Sequence, residues 1–355
     1  MKVSVLGAGA IGSMLGGLLQ HDADDVEVQL IARGEHGRVL AERGTLVLEG
    51  PWGTRIVPIS SSDDCGAVAG SQIVFVTVKS QDTQSAVRAA APHWAGATVV
   101  SIQNGINDRR LAEFVDPAQL VMGMTATNMA LVEPGRVSLQ LGGATVLGSP
   151  VGRDNSDRVR AVVALLRRIH GAGLSFREHA NVLGVRYNKL AVNAIGYASC
   201  LSASNFISEA LACAEWRRAV GLPIVRECRR VFETCGIRLE RIPGVPSLTR
   251  LERFMRLMGA PVVGRIVTLA ARRLFDRKPI VFSLLQDLRR RKPTEVQYVN
   301  GEIVRLAKSV GSVAPANALV VELVDELQHR GDGTFFARED VIRRFDGLWA
   351  ARAAA

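Results

Sequence analysis

Val3-Ser4-Val5-Leu6-Gly7-Ala8-Gly9-Ala10-Ile11-Gly12 decides the fold of this chain. An apolar run short enough for a buried strand ends in a glycine turn, and a helix starts directly behind it. The first N–H groups of such a helix, here those of Ala10, Ile11 and Gly12, have no acceptor within the helix and can hold a pyrophosphate. Gly7 permits the turn, Gly9 lets backbone approach the phosphates, and Gly12 lets the helix pack closely on the strand. With 34 glycines in the chain, the spacing alone is weak. The strand–turn–helix context strengthens it, as does a second apolar run at 26–31.

A site for NAD places Asp or Glu about 20 residues beyond the glycines, where it accepts hydrogen bonds from the ribose 2′-OH. Here that place is Ala32, followed by Arg33, with Arg38 close behind. A guanidinium pairs with a 2′-phosphate in bidentate fashion, whereas a carboxylate repels it. Arg33 can also be a solvated strand cap. The binding reading favours NADPH as cofactor.

At 355 residues the chain exceeds one ordinary core, so two domains are expected. Hydrophobic residues make up 48% and charged residues 22%, which excludes a disordered chain. No apolar stretch approaches the roughly 18 residues of a membrane span, and the start reads as a strand rather than a signal peptide. The five cysteines lack C-x-x-C pairing and do not cluster with histidine, so reduced thiols, a cytoplasmic location and no metal are expected. The net charge of +10 raises nucleic-acid binding, but aromatic content is 5% and no recognition motif is present. The basic run 289–292 reads as a solvated face or a cofactor-side patch. An anionic small molecule suits this charge better than nucleic acid.

Strands and helices alternate through about residue 150. Apolar runs at 73–78, 98–102 and 120–124 predict buried parallel strands, with a helix over 81–93. Segments 137–141 and 145–147 read as an edge hairpin around Gly142 and Gly143. A helix over 156–170 and a strand near 174–177 complete this part, with the boundary near 178–181. Beyond it the pattern is helical: 182–199, 209–235, 248–275, 283–291, 296–310 and 317–329. Residues 350–355 read as a frayed end. The fold class is therefore α/β: a Rossmann-type parallel-sheet domain over 1–178, then an all-helical domain over 179–355 for substrate and dimerisation. The default ligand site is a cleft between the two.

Several polar residues fall where ligands bind. Lys79 and Asn104 each follow a buried strand at its C-terminal end. Lys79 is equally explained as a surface lysine, and Asn104-Gly105 as a turn. Lys189 and Asn193 stand four residues apart with apolar residues between them, so they share a semi-buried helix face. A lysine there is costly without a partner or a task, unless it snorkels to water. Glu295 is the candidate partner, although it also suits the first turn of a helix whose N-cap is Thr294.

With these residues the chain resembles the ketopantoate reductase family. The resemblance rests on the glycine turn, Val76-Thr77-Val78-Lys79, Gln103-Asn104-Gly105, Asn188-Lys189 to Asn193, and the spacing from Ser283-Leu284-Leu285-Gln286-Asp287 to Thr294-Glu295. It spans residues 1 to about 325. It implies NADPH-dependent reduction of a 2-oxo acid to a 2-hydroxy acid, nominally 2-dehydropantoate to pantoate, by a homodimer. It also implies that Lys189 is the general acid and Glu295 the carboxylate that orients it or the substrate hydroxyl. Asn193 and Ser283 would bind substrate, and Asn104 would lie at the nicotinamide–substrate junction. Gly7, Gly9, Gly12, Arg33 and Lys79 would form the cofactor site.

The match weakens on the substrate side. Tyr197 stands where the family commonly has a further asparagine, and Asn205 is the nearest replacement amide, out of register. The segment 236–279 is long, amphipathic and basic, and reads as a dimer interface, a lid or a membrane-surface helix. Two other functions share the plan: an opine- or 3-hydroxyacid-type dehydrogenase, and a non-catalytic NADP(H) sensor. The first does not require Ser283 with Glu295, and the second needs no proton donor.

Overall fold

The computed structural model describes residues 1–170, 173–242, 245–260, 262, 264, 266, 269 and 282–354. Contacts divide the chain into two compact units, one formed by Met1–Arg186 with Ile242, the other by the chain from Tyr187 onward.

In the first unit the strands are β1 (Lys2–Leu6), β2 (Glu27–Ile31), β3 (Thr45–Gly50), β4 (Gly53–Pro58), β5 (Ser60–Ser62) and β6 (Ile73–Val76). They continue with β7 (Thr98–Ser101), β8 (Leu120–Thr125), β9 (Asn128–Glu133), β10 (Arg136–Leu141), β11 (Ala144–Gly148) and β12 (Ser175–Glu178). The main sheet runs β12-β11-β8-β7-β6-β1-β2-β5. From β5 to β8 every pairing is parallel. β11 then enters antiparallel to β8, so the sheet is mixed at that edge rather than parallel throughout. The chain winds outward from β1 in both directions, which makes the C-terminal end of β1 the topological switch point where open sheets bind ligands.

A second sheet, β4-β3-β10-β9, was not foreseen. It also removes the expected hairpin at 137–147. β10 pairs with β9 and β3, whereas β11 pairs with β8 and β12. The glycines between them form a crossing between sheets, where a Cβ on Gly143 would sit 2.9 Å from the Ala126 backbone.

Helix α1 (Ala10–Asp22) lies between the two sheets, and its composition follows from that position. The continuous run Gly12–Leu19 is buried, as expected for a helix covered on opposite sides. A Cβ on Gly16 would fall 2.7 Å from Leu30 of the main sheet, and one on Gly17 2.8 Å from Leu46 of the small sheet. Val3, Val5, Leu18, Leu30, Leu48 and Val137 share one core on this side. The remaining helices of this unit are α2 (Gly34–Arg43), α3 (Thr83–Ala90), α4 (Asp108–Ala112) and α5 (Ser156–Leu166). On the opposite face of the sheet, Val74, Val76, Val87 and Trp94 form a second core.

The second unit is helical among the described residues. It contains, from Tyr187 onward, α6 (Val182–Cys200, whose start belongs to the first unit), then α7 (Leu222–Thr234), α8 (Leu248–Met258), α9 (Ser283–Arg289), α10 (Val296–Ser309), α11 (Pro315–Arg330) and α12 (Arg338–Ala354). The expected helix over 209–235 is broken by π-helical turns at Phe206–Leu211 and Arg217–Gly221. Residues 350–354 belong to α12 rather than to a frayed end. Of the segment 236–279, α8 is observed, and most of the stretch 261–279 lies outside the described residues.

A buried polar network holds this unit together. Glu227 of α7 accepts hydrogen bonds from the Ala316 and Asn317 N–H groups (3.1 and 2.8 Å) at the start of α11. It therefore satisfies donors that the helix itself cannot. The Asn317 side chain donates to Glu227 at 2.7 Å and accepts from Asn300 of α10 at 3.0 Å; Asn300 also donates to the Ala194 carbonyl of α6 at 3.2 Å. Burial pushes the Glu227 carboxyl up, and the bonds from Asn317 and Ala316 oppose it. Glu227→Leu orphans the N–H groups at the start of α11, so a stability loss of about 2–4 kcal/mol is expected in urea unfolding. Glu227→Gln, which keeps one acceptor, should lose less.

Candidate active site

The first unit supplies a dinucleotide edge. Gly7 adopts φ +95°, and a Cβ there would lie 2.4–2.7 Å from Val78. A Cβ on Gly12 would strike Thr77 Oγ1 at 2.4 Å and the Gly7 carbonyl at 2.7 Å. On Gly9 it would meet nothing within 4 Å. Gly12 thus brings α1 onto the end of β1, Gly7 lets the turn approach Val78, and Gly9 keeps the space above the loop open. That is the cradle a pyrophosphate requires, so these residues fit a dinucleotide. The loop is fixed from both sides: Ile31 O accepts from Gly7 N–H and Ala8 N–H (3.1 and 2.9 Å), and Thr77 Oγ1 donates to Gly7 O (2.7 Å).

Arg33 is exposed at the N-terminus of α2, two residues beyond the β2 end. Arg38 is paired with Glu42 at 2.7 Å, which engages its charge on the α2 surface. Lys79 is half-buried beyond the end of β6. Asn104 is half-buried after β7, and its carbonyl accepts from Ser80 Oγ (2.9 Å) and Asn107 Nδ2 (3.1 Å). Gln103 acts as a brace, donating to Val78 O and Thr83 Oγ1 at 2.7 Å each.

Two residues at this edge escaped the sequence reading. Arg186, 4% exposed, ion-pairs with Asp108 at 2.6 Å, and its guanidinium reaches Gly105 O at 3.5 Å. It clamps the loop that carries Asn104. His36, also buried, accepts from Gly135 N–H at Nδ1 (2.9 Å) and donates from Nε2 to Ser13 Oγ (3.0 Å), which donates to Ala8 O (3.0 Å). The network assigns this neutral tautomer, and burial lowers its pKa. Nothing in the 3.6-residue pattern marks either residue, because their partners lie far away in sequence.

The second unit carries the candidate residues for proton chemistry. Lys189, Asn193 and Tyr197 stand at four-residue intervals on α6, so they share one face. Burial pushes the Lys189 ammonium down to about 8, and the negative charge of Glu295 opposes the fall. Glu295 is buried, 5% exposed. Thr294 is not the N-cap expected of it: α10 starts at Val296 with Glu295 in the capping position, and Thr294 N–H donates to Gln328 at 2.8 Å. The helix is thus shifted by one residue, and the Glu295 side chain makes no capping bond. Ser283 opens α9 and is half-buried, with its Oγ 3.3 Å from Tyr197 Oη. Asn205, the nearest replacement amide in the sequence, is engaged in a local cap. Its side-chain oxygen caps the π-helical turn, accepting from Ile207 N–H and Ser208 N–H (3.1 and 3.3 Å).

These residues can protonate an oxyanion at Lys189, with Glu295 favouring the charged amine. The chain matches the family described as ketopantoate reductase PanE/ApbA over residues 3–152, and that family's C-terminal domain over 181–328. It is 30% identical over 340 residues to 2-dehydropantoate 2-reductase of Pyrococcus horikoshii, covering 94% of this chain and all of that protein. The chain belongs to the ketopantoate reductase family. It is accordingly an oxidoreductase.

Solved structures agree on the fold. A PanE/ApbA family ketopantoate reductase from Ralstonia eutropha superposes with TM-score 0.73 at 28% identity, covering 93% of this chain and 99% of that one. D-mandelate dehydrogenase with NADH and anilino(oxo)acetate gives 0.75 at 22% identity over 94% and 100%, a likeness of fold alone.

Because the space above Gly9 is open, Gly9→Val should fold with little change in thermal midpoint. It should weaken binding of the reduced nicotinamide dinucleotide at least tenfold in a fluorescence titration. Unchanged affinity would remove this loop from the cofactor site.

Proposed function

We propose that the protein catalyses the NADPH-dependent reduction of a 2-oxo acid, 2-dehydropantoate, to the 2-hydroxy acid pantoate, with Lys189 as the proton donor. The observation that carries this reading is a lysine crowded by protein, with its pKa drawn to about 8 and a buried glutamate acting on it. The names of the relatives point to the same substrate.

The bound cofactor supplies hydride to the carbonyl carbon. The glycine turn and the N–H groups of Ala10, Ile11 and Gly12 hold the pyrophosphate, and Arg33 pairs with the 2′-phosphate. Lys79 lies at the cofactor edge, and Asn104, held by Ser80 and Asn107, orients the nicotinamide and the substrate. Asn193 and Ser283 bind the substrate without adding net charge. As negative charge develops on the carbonyl oxygen, Lys189 stabilises it and hands over a proton. Glu295 keeps that proton on Lys189 until it is needed. We place this chemistry in a cytoplasmic homodimer, a state that sedimentation would test directly.

Lys189→Ala is expected to lower turnover by orders of magnitude while leaving NADPH affinity within a fewfold; unaltered turnover would exclude Lys189 as the acid. The donor must be protonated, so reductive kcat should fall as pH rises through about 8. Glu295 raises the lysine pKa, so in Glu295→Gln that limb moves to lower pH. A limb that stays in place would separate Glu295 from the proton transfer. Arg33→Asp should shift preference towards NADH by at least tenfold in relative kcat/KM, and tighter NADPH binding in that variant would contradict the cofactor assignment.

A further inference from the structure

Helix α9 stops in a geometry that ordinarily calls for glycine. Arg291 N–H bonds to Leu288 O (3.1 Å) and Lys292 N–H to Asp287 O (2.9 Å), the paired closing bonds of a Schellman motif. Arg291 takes the left-handed position of that motif, with φ +54°. Gly331 fills the left-handed position after α11, with φ +62°. Such backbone is relaxed for glycine and strained for arginine, and strain of this kind collects where a side chain has a task. The α9 dipole does not explain it, because Arg289 already places a cation in the last turn without strain.

Arg291 borders a cavity of about 350 Å³ formed within the second unit by the ends of α9 and α11 and the chain that follows each. That volume suits a small molecule. Leu288 and Leu327, both buried, line it together with Pro293 and the half-buried ring of Phe335. Arg291 and Lys292 bring positive charge to the rim, and among the described residues neither is paired with a carboxylate and no acidic residue joins the lining. The nearby Asp332 carboxylate is taken up by Thr334 N–H and Oγ1 (2.8 and 2.7 Å), and Arg291 reaches the Asp332 carbonyl instead (3.3 Å). Gln328 also lines the cavity. Its Oε1 accepts from Thr294 N–H at 2.8 Å, which fixes the amide, while its Nε2 makes a longer bond of 3.3 Å to Asp325 and can donate to a ligand oxygen.

We propose that this cavity is a second small-molecule site, which binds a phosphate monoester carried on an apolar body. Arg291 and Lys292 match the two negative charges of the phosphate, and the guanidinium and the Gln328 amide donate to its oxygens. Leu288, Leu327 and Phe335 bury the body. The site is independent of the proposed reaction. Its wall nevertheless includes Pro293, two residues before Glu295, so a bound molecule rests on the segment that carries the proposed partner of Lys189.

The test is calorimetric titration of the full chain with benzyl phosphate, inorganic phosphate and benzyl alcohol. Benzyl phosphate has about twelve non-hydrogen atoms, for which a dissociation constant of about 1 mM or tighter is expected. Inorganic phosphate and benzyl alcohol each lack one half of the ligand and should bind at least about tenfold more weakly. Arg291→Gly removes the cation where glycine is the relaxed residue, so the thermal midpoint should hold or rise while affinity for benzyl phosphate falls at least about tenfold. Lys292→Gln, at an exposed position, should weaken binding by at least about fivefold. Saturating NADPH should leave the affinity unchanged. A wild-type dissociation constant weaker than about 10 mM would overturn the proposal, as would inorganic phosphate binding as tightly as the ester. So would unchanged affinity in both variants. Displacement of benzyl phosphate by NADPH would assign Arg291 and Lys292 to the cofactor and overturn it as well. Lys292→Gln decides the matter if Arg291→Gly does not fold.

Discussion

The close approach of α1 to the sheets on either side of it is the constraint on which the first unit depends. A helix covered on both sides must present apolar residues all round, and where backbones come nearest it has no room for a Cβ. Gly12 and Gly16 meet that demand towards the main sheet and Gly17 towards the small one. The same approach fixes where the α1 N-terminus points, so the pyrophosphate cradle is a by-product of packing. His36 and Ser13 then tie the loop to the second sheet through Ala8 O and Gly135 N–H. The loop is held by backbone and neutral side chains, so the helix start and Arg33 are the groups that would meet a ligand's negative charge in the proposed cofactor site.

The second unit answers a different demand, which is to keep a lysine charged where water is scarce. Burial and the Glu295 charge act in opposite directions on Lys189, and the result sits near neutrality rather than at either extreme. Such a group gives up its proton readily and can be reprotonated. Holding Lys189 and Glu295 in register requires α6 and α10 to be fixed to each other. Asn300, Asn317 and Glu227 do this through bonds that reach the Ala194 carbonyl, beside Asn193.

Much of this was legible in the sequence. The buried parallel strands appear as short apolar runs, and the glycine turn and the Lys189/Asn193 spacing are local patterns that the neighbouring residues make readable. The small sheet was not legible. β9 has no fully buried residue and β4 buries only Val57, so neither shows the alternation that marks a strand. The hairpin reading of 137–147 failed because glycines that look like a turn also serve where the chain passes between sheets. Thr294 was displaced as N-cap by Glu295, a shift of one residue that propensity cannot resolve. Arg186 and His36 were hidden because their partners, Asp108 and Gly135, are distant in sequence.

Helix α6 carries Lys189, Asn193 and Tyr197 along one line, and an α-helix advances about 6 Å for every four residues. The line is therefore a fixed scale about 12 Å long, marked by a cation, an amide and an aromatic ring. A molecule laid along it is measured by length as well as by chemistry. In the proposed reaction the reacting oxygen meets the first mark, so the rest of the substrate is gauged from there along the helix. A family with this plan is retuned by changing one residue per turn, without moving the proposed proton donor.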